Sequence, residues 1–332
     1  MNNFQKIENK EKWLELLNKV LFRTFFHSLE WEEFLESQFK WLKFEHYLYK
    51  DEAVLSLARY SFSGKEKFVS HPFCEYGGVL PLKTGISGRE LKINLFKEFK
   101  FELKIKFHPE IPKHFKEFGL KEPESANDTY FVEDIDRKSE QEIYSCFRKT
   151  LRHSIKKAEN EKVKLEKCKS QNDLRLFYNL YLKNVKRHKT IAYPFSFFKY
   201  FFHSSNAEII LAKYEDKTIA GSIFLFYDKF IHYFLNASDY NYRNKKPTHL
   251  ILWNQIKNCL QKEHKIFDLG GTGRGSQLEV FKRGWGTKKY TIFELKNFEE
   301  GKIKTSKLRN VFGFLPSFLL EKISPYFLKY KL

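Results

Sequence analysis

One stretch limits the possible folds more than any other. It runs from Lys229 to Gly286 and reads KFIHYFLNASDYNYRNKKPTHLILWNQIKNCLQKEHKIFDLGGTGRGSQLEVFKRGWG. The first ten residues alternate and are rich in Phe, Tyr and Ile, the pattern of a buried strand. A polar, basic turn follows over Asp239–Lys246 and ends at Pro247, well placed for the first position of a helix. Leu250, Ile251, Trp253, Ile256 and Leu260 then form an apolar stripe at helical spacing. A short strand, Lys265–Leu269, leads into a Gly-rich loop. A strand that hands a basic turn to a helix N-terminus suits an anion, because backbone N–H groups and the helix dipole face it and Arg243, Lys245 and Lys246 add charge.

The chain before this stretch alternates between the two periods. Glu11–Leu21 carries a helical stripe, and Trp31, Phe34 and Leu35 mark a second short helix. His46–Tyr49 and Ala53–Tyr60 read as a hairpin around Asp51-Glu52. Phe68–Ser70 and Gly78–Leu82 flank the loop HPFCEYGG. Ser87 caps a helix over Arg89–Phe99. Phe101, Leu103, Ile105 and Phe107 form the cleanest period-two strand. Pro109, Pro112 and Pro123 punctuate a loop that runs to Asp128, before a strand at Thr129–Val132. Ser139–Glu161 reads as one strongly basic helix. A strand at Val163–Lys167 and helices at Gln171–Arg187 and Pro194–His203 follow. Three strands come next, at Glu208–Tyr214, Thr218–Tyr227 and Lys229–Ser238, and a last strand at Lys288–Leu295.

The order strand, helices, three antiparallel strands, helix, strand thus occurs twice. It predicts an α/β (α+β) chain of two tandem domains, each a mixed, mostly antiparallel sheet flanked by helices. The expected division is 1–135, 136–300 and a basic, Pro-interrupted apolar tail over 301–332. A length of 332 residues fits two domains.

This order resembles the GNAT acyltransferase fold, and a tandem pair with these words resembles the FemABX family. FVSHPFCEYGG (Phe68–Gly78) is similar to that family's first-domain loop, and LRHSIKKAENEKV (Leu151–Val163) to its helix into the second domain. NASDYNYRNKKPTHLILWNQI is similar to its strand–turn–helix, and FDLGGTG with FKRGWG to its DFxG…FKxGFG ending. The tail FGFLPSFLLEKISPYF looks more like a subgroup described as FemAB-related or BioF2-like. The resemblance implies transfer of an acyl or aminoacyl group to an amine of a peptidoglycan or other cell-envelope precursor, with aminoacyl-tRNA as donor. It also implies an alternative, acyl-CoA-dependent N-acyl transfer in exopolysaccharide or envelope synthesis. One departure bears on the donor. The Gly-containing turn that seats a pyrophosphate in CoA-using GNAT domains is here YRNKKPTH, without glycine.

The candidate catalytic residues are Lys282, to stabilise developing oxyanion charge; Asp239, to take a proton from the attacking amine; and Tyr240, to orient it. Arg243, Lys245, Lys246, His71 and Tyr76 are the candidate substrate-binding residues. No metal is needed, since the ester or thioester is already activated, and no tightly bound cofactor is expected.

Composition closes other routes. A net charge of +19 favours an acidic partner: nucleic acid, anionic lipid or a phosphorylated substrate; the resemblance implies a tRNA or CoA donor and a nucleotide- or lipid-linked precursor. A non-enzymatic RNA- or membrane-binding module is a further alternative. Cys74, Cys146, Cys168 and Cys259 form no CxxC pair, which fits a reducing cytoplasm. The DLGGTG run resembles a methyltransferase glycine loop, but too little chain follows for a doubly wound domain. Walker A, HExxH and GxSxG patterns are absent. The polar N-terminus is not a signal peptide, and no apolar run is long enough to span a bilayer. The tail, Val311–Leu332, mixes Phe and Leu with Pro316 and Pro325, and Lys302, Lys304, Lys307, Arg309, Lys329 and Lys331 flank it. It is expected either to contact a membrane peripherally or to pack on the second domain.

Overall fold

The computed structural model describes residues 3–120, 127–262, 264–298 and 313–332. β1 (Phe4–Ile7) leads into α1 (Lys10–Leu17), where the Asn9 side chain accepts from Lys12 N at 2.8 Å, and α2 (Leu29–Gln38), capped by Ser28. Both caps satisfy a backbone N–H that a helix start leaves open. β2 (Leu42–Tyr49), β3 (Ala53–Phe62), β4 (Lys65–Val69), β5 (Val79–Pro81) and β6 (Ile86–Ser87) follow, then α3 (Gly88–Glu98), capped by Ser87 as expected. β7 (Glu102–Phe107) buries Leu103, Ile105 and Phe107 and turns Glu102, Lys104 and Lys106 outward, the period-two pattern of its sequence. β8 (Phe115–Lys116) and β9 (Asn127–Val132) come next.

The expected single helix over Ser139–Glu161 is two helices, α4 (Glu140–Cys146) and α5 (Lys149–Asn160). Tertiary packing breaks it. Phe147 turns inward and meets Trp253 and Trp285 with ring centroids 5.3 and 5.1 Å away. The Arg152 guanidinium then donates to the carbonyls of Ser145 and Phe147, both at 2.8 Å, and so caps the end of α4. β10 (Lys164–Lys167), α6 (Gln171–His188), α7 (Phe195–His203), β11 (Ala207–Tyr214), β12 (Lys217–Tyr227) and β13 (Phe230–Ser238) follow. Next are α8 (Pro247–Gln261), β14 (Ile266–Gly273), α9 (Gln277–Arg283), β15 (Lys288–Thr291), β16 (Phe293–Lys296) and α10 (Ser317–Phe327).

The chain forms two compact units. The first takes the chain to Asp128 and again from Tyr290; the second takes Thr129–Lys289 and the described C-terminal segment up to Lys331. The expected strand Lys288–Leu295 is therefore divided. β15 belongs to the sheet β10-β11-β12-β13-β14-β9-β15, and β16 pairs antiparallel with β7 in the sheet β1-β2-β3-β4-β7-β16. The linear division at 135 and 300 is crossed by this return.

The two sheets repeat one topology. In the first unit β2, β3 and β4 are antiparallel neighbours, and after α3 the chain lays β7 parallel to β4. In the second, β11, β12 and β13 are antiparallel neighbours, and after α8 the chain lays β14 parallel to β13. α5 and α8 cover one face of the second sheet through Leu151, Ile155, Ile251, Trp253 and Ile256. On the other face α6 crosses β12 closely at Gly221, where an added Cβ would lie 2.4 Å from the Phe177 ring.

Candidate functional site

The units differ at the parallel pair. In the first unit β4 pairs with β7 over Lys67–Val69, and the chain beyond keeps bonding to β7: Ser70 N donates to Lys104 O, and Gly77 N to Lys106 O, each at 2.9 Å. The loop HPFCEYGG therefore fills the space beside β7. In the second unit β13 and β14 pair only through Phe230↔Ile266, Ile231↔Phe267 and His232↔Asp268. Both strands continue, to Ser238 and Gly273, yet among the described residues no backbone hydrogen bond joins them there. Two strands that diverge leave backbone donors and acceptors facing a gap, and in open α/β sheets ligands bind beyond the C-terminal ends of parallel strands.

The elements at those C-terminal ends carry most of the expected residues. Asp239 ends β13. Its carboxylate accepts from Asn241 N at 3.0 Å and faces Lys217 at 3.6 Å, so it shapes the turn and is engaged with a cation. Tyr240 is 54% exposed. Arg243 stacks on its ring, guanidinium carbon 3.9 Å from the centroid, and donates to Tyr240 O at 3.1 Å. Arg187, from the end of α6, lies over the same ring at 4.9 Å. Neither arginine forms an ion pair among the described residues, so two guanidiniums are held by one tyrosine without a counter-ion. The turn sequence does not reveal Arg187, which α6 supplies from far upstream.

Lys245 is not free. It pairs with Glu161, which depresses that carboxyl and raises the lysine. Lys246 takes the left-handed conformation, φ +55°, and starts α8 without a side-chain cap. His249, in the first turn of α8, is pushed down to about 4 by burial and by Lys246, and its Nδ1 has no partner. The sequence reading passed over this histidine, whose environment is made by Phe281 and Trp285 from another element.

Past β14, Lys282 is 4% exposed, and its Nζ donates to Gly271 O at 2.8 Å, tying α9 to the end of β14. The lysine is therefore buried at the end of β14. Within the same motif Trp285 is fully buried, and Gly286, φ +66°, lies so close that an added Cβ would stand 2.8 Å from Cys146 Cβ. At the point of divergence, His232 Nδ1 and Asp268 Oδ2 are 2.7 Å apart. Asp268 Oδ1 also accepts from Thr129 Oγ1 at 2.9 Å and Gly270 N at 2.7 Å. With Asp268 as the carboxylate, which can only accept, Nδ1 is the imidazole nitrogen that donates to it. Neither residue stood out in the sequence, because only strand pairing brings them together.

α5 joins the two ends of this region. Its C-cap Glu161 is held at the basic turn by Lys245, and its N-cap Arg148 lies beside α9 through the bond from Arg148 N to Gly284 O, 2.8 Å. The side chains of Arg148, Lys149, Lys156 and Lys157 are exposed, and none forms an ion pair among the described residues.

His71 and Tyr76 belong to the first unit and are interior there. His71 is 2% exposed, with φ +46°, and its Nε2 donates to the buried Glu32 at 3.1 Å. Tyr76 is 1% exposed and packs edge-on against His108 at 4.6 Å. Both side chains are thus buried within the first unit.

Residues 145–283 match the family model described as acetyltransferase (GNAT) domain. Over those residues the chain carries a GNAT acyltransferase domain. Its tandem GNAT architecture is shared with solved structures at low identity. FemX is 13% identical, with a TM-score of 0.65 over 92% of this chain and all of FemX. L-PGS from Bacillus licheniformis is 12% identical, with a TM-score of 0.56 over 91% of this chain and 95% of that one. A tandem GNAT protein from the clavulanic acid biosynthesis pathway is 9% identical, with a TM-score of 0.50 over 90% and 99%. No curated protein matches the sequence. The GNAT match spans α5 to α9, the stretch that carries the diverging strands and the arginine pair.

Proposed function

We propose that the second unit seats a phosphate-bearing donor across the diverging ends of β13 and β14. From it the enzyme transfers an aminoacyl or acyl group to an amine of a cell-envelope precursor. The observation that carries this reading is the contrast between the parallel pairs, filled by its own loop in the first unit and diverging in the second. Arg187 and Arg243 would hold donor phosphate, for which guanidiniums without a carboxylate partner are suited. Likeness in fold to FemX and to a protein described as a putative lysylphosphatidylglycerol synthetase supports aminoacyl transfer.

The chemistry balances without a further reactant. The acceptor amine attacks the carbonyl carbon, a C–N bond forms, and the C–O bond of the ester or C–S bond of the thioester breaks. The amine's proton passes to the departing oxygen or sulfur. His232, oriented by Asp268, is a better-placed proton carrier than Asp239, whose carboxylate already faces Lys217. The buried Lys282 ammonium would favour charge developing near the end of β14.

Aminoacyl-tRNA is the donor that the unpaired cations of α5 favour, since a polyanion is held by a row of cations. Acyl-CoA is the second reading, favoured by the GNAT domain match itself. Incubating the enzyme and an envelope-precursor pool with charged tRNA or with acyl-CoA, followed by mass spectrometry, decides between them. The expected result is a precursor heavier by one amino acid with the tRNA; the absence of any mass shift with either donor overturns the proposal.

A further inference from the structure

The C-terminal helix α10 has two opposed faces. Leu320, Ser324 and, just beyond it, Leu328 are all 0% exposed and lie towards α6. Arg175 of α6 donates to Glu321 at 2.9 and 3.1 Å and clamps the helix there. This side answers the packing expectation. Phe318, Lys322 and Tyr326 precede the buried positions by two residues, about 200° around a helix. They form the outward stripe, with Phe318 62% and Tyr326 77% exposed, and Phe314 ahead of the helix is 83% exposed. An outward face is ordinarily polar. Here it alternates aromatic, lysine, aromatic.

The charge around the stripe has one sign. From Lys302 to Leu332 the sequence holds seven Lys and Arg residues and a single acid, Glu321, which Arg175 already engages. Lys302, Lys304, Lys307, Arg309, Val311 and Phe312 lie outside the described residues and enter only as sequence. Three aromatic side chains bury about 200 Å² each, together short of the ~800 Å² per partner of a stable protein interface. A bilayer surface asks for less area. It takes aromatic rings at headgroup depth and lysines at the lipid phosphates, each cation adding about fivefold to binding near an anionic leaflet.

We infer that the face formed by Phe314, Phe318, Lys322 and Tyr326 docks the enzyme on an anionic lipid surface, with α10 held to the second unit by its opposite side. This goes beyond the transfer reaction and does not depend on the donor. No helix among the described residues is long and apolar enough to cross a membrane, so the contact is peripheral.

The test uses the full chain and vesicles of phosphatidylcholine alone or in equal mixture with phosphatidylglycerol. The expected result is co-sedimentation with the anionic vesicles at low salt, loss of it at high salt, and little binding to the neutral ones. Phe314→Ser with Phe318→Ser and Tyr326→Ser should lower anionic-vesicle partitioning at least about tenfold, with the thermal midpoint and transfer to a soluble amine unchanged. The inference is overturned if the native chain stays in the supernatant at low salt, or if the triple variant sediments like it. It is also overturned if the native chain is a dimer that binds no vesicles and the variant is a monomer, which would make the stripe a subunit interface. Transfer to the soluble amine tests the proposed reaction separately.

Discussion

Glu32 should be a keystone of the first unit, and Glu32→Gln tests it. The side chain is 1% exposed. Its Oε2 accepts from His46 Nε2 at 2.7 Å, and its Oε1 from Ser56 Oγ at 2.6 Å and His71 Nε2 at 3.1 Å. Burial alone would push the carboxyl up, but donation from His46 and His71 outweighs it and holds Glu32 below the ordinary carboxylate value. Glutamine keeps the shape but carries one acceptor oxygen, and its NH₂ confronts an imidazole N–H. Two bonds to a charged group, each contributing about 1.5–3 kcal/mol, then weaken together, so a loss of about 3–5 kcal/mol is expected. Urea unfolding of both proteins, followed by circular dichroism, measures it, with an unchanged slope showing that only stability moved. The sign with pH follows from the lowered carboxyl. Its contribution is present above the unfolded value of 4.5 and is lost as pH falls through the folded one. The gap between native and variant should be widest near neutrality and narrow as pH falls below the unfolded value of 4.5. A loss under about 1 kcal/mol, or a gap equally wide at about pH 3, would refute the reasoning and return His71 to the candidate ligands.

Other expectations follow from the second unit. Arg187→Ala and Arg243→Ala should each raise the donor KM about tenfold or more while leaving the thermal midpoint alone; equal KM values across native and variants would remove the arginine pair from the site. His232→Gln should lower kcat and flatten its pH profile, whereas a structural role alone would lower stability and keep the profile. His249 is held neutral, so stability should fall as pH drops from its unfolded value of 6.5 towards about 4, by at most about 3 kcal/mol, and His249→Phe should abolish that slope. Gly221→Ala drives a methyl into Phe177 and should cost about 1–3 kcal/mol; a neutral result would show that α6 can slide on β12.

Periodicity and punctuation in the sequence determined the element types, their order and their repetition. Alternation in Phe101–Phe107, the Ser87 cap and Pro247 at a helix start are local signals, set by neighbours a few residues away. They were enough to predict two tandem α/β units and the basic turn that leads into a helix at Pro247. Tertiary structure alone decided which residues meet. The helix over Ser139–Glu161 reads as continuous because basic and apolar residues alternate properly through it; Phe147, drawn between two tryptophans, breaks it. Arg187 joins Arg243 over Tyr240, and His232 joins Asp268, only because α6 ends beside the turn and β14 lies parallel to β13 in that register. The same limit explains His71 and Lys282. Their motifs are visible in the chain, but burial is a property of what packs over a residue, and the covering side chains come from elsewhere in the sequence.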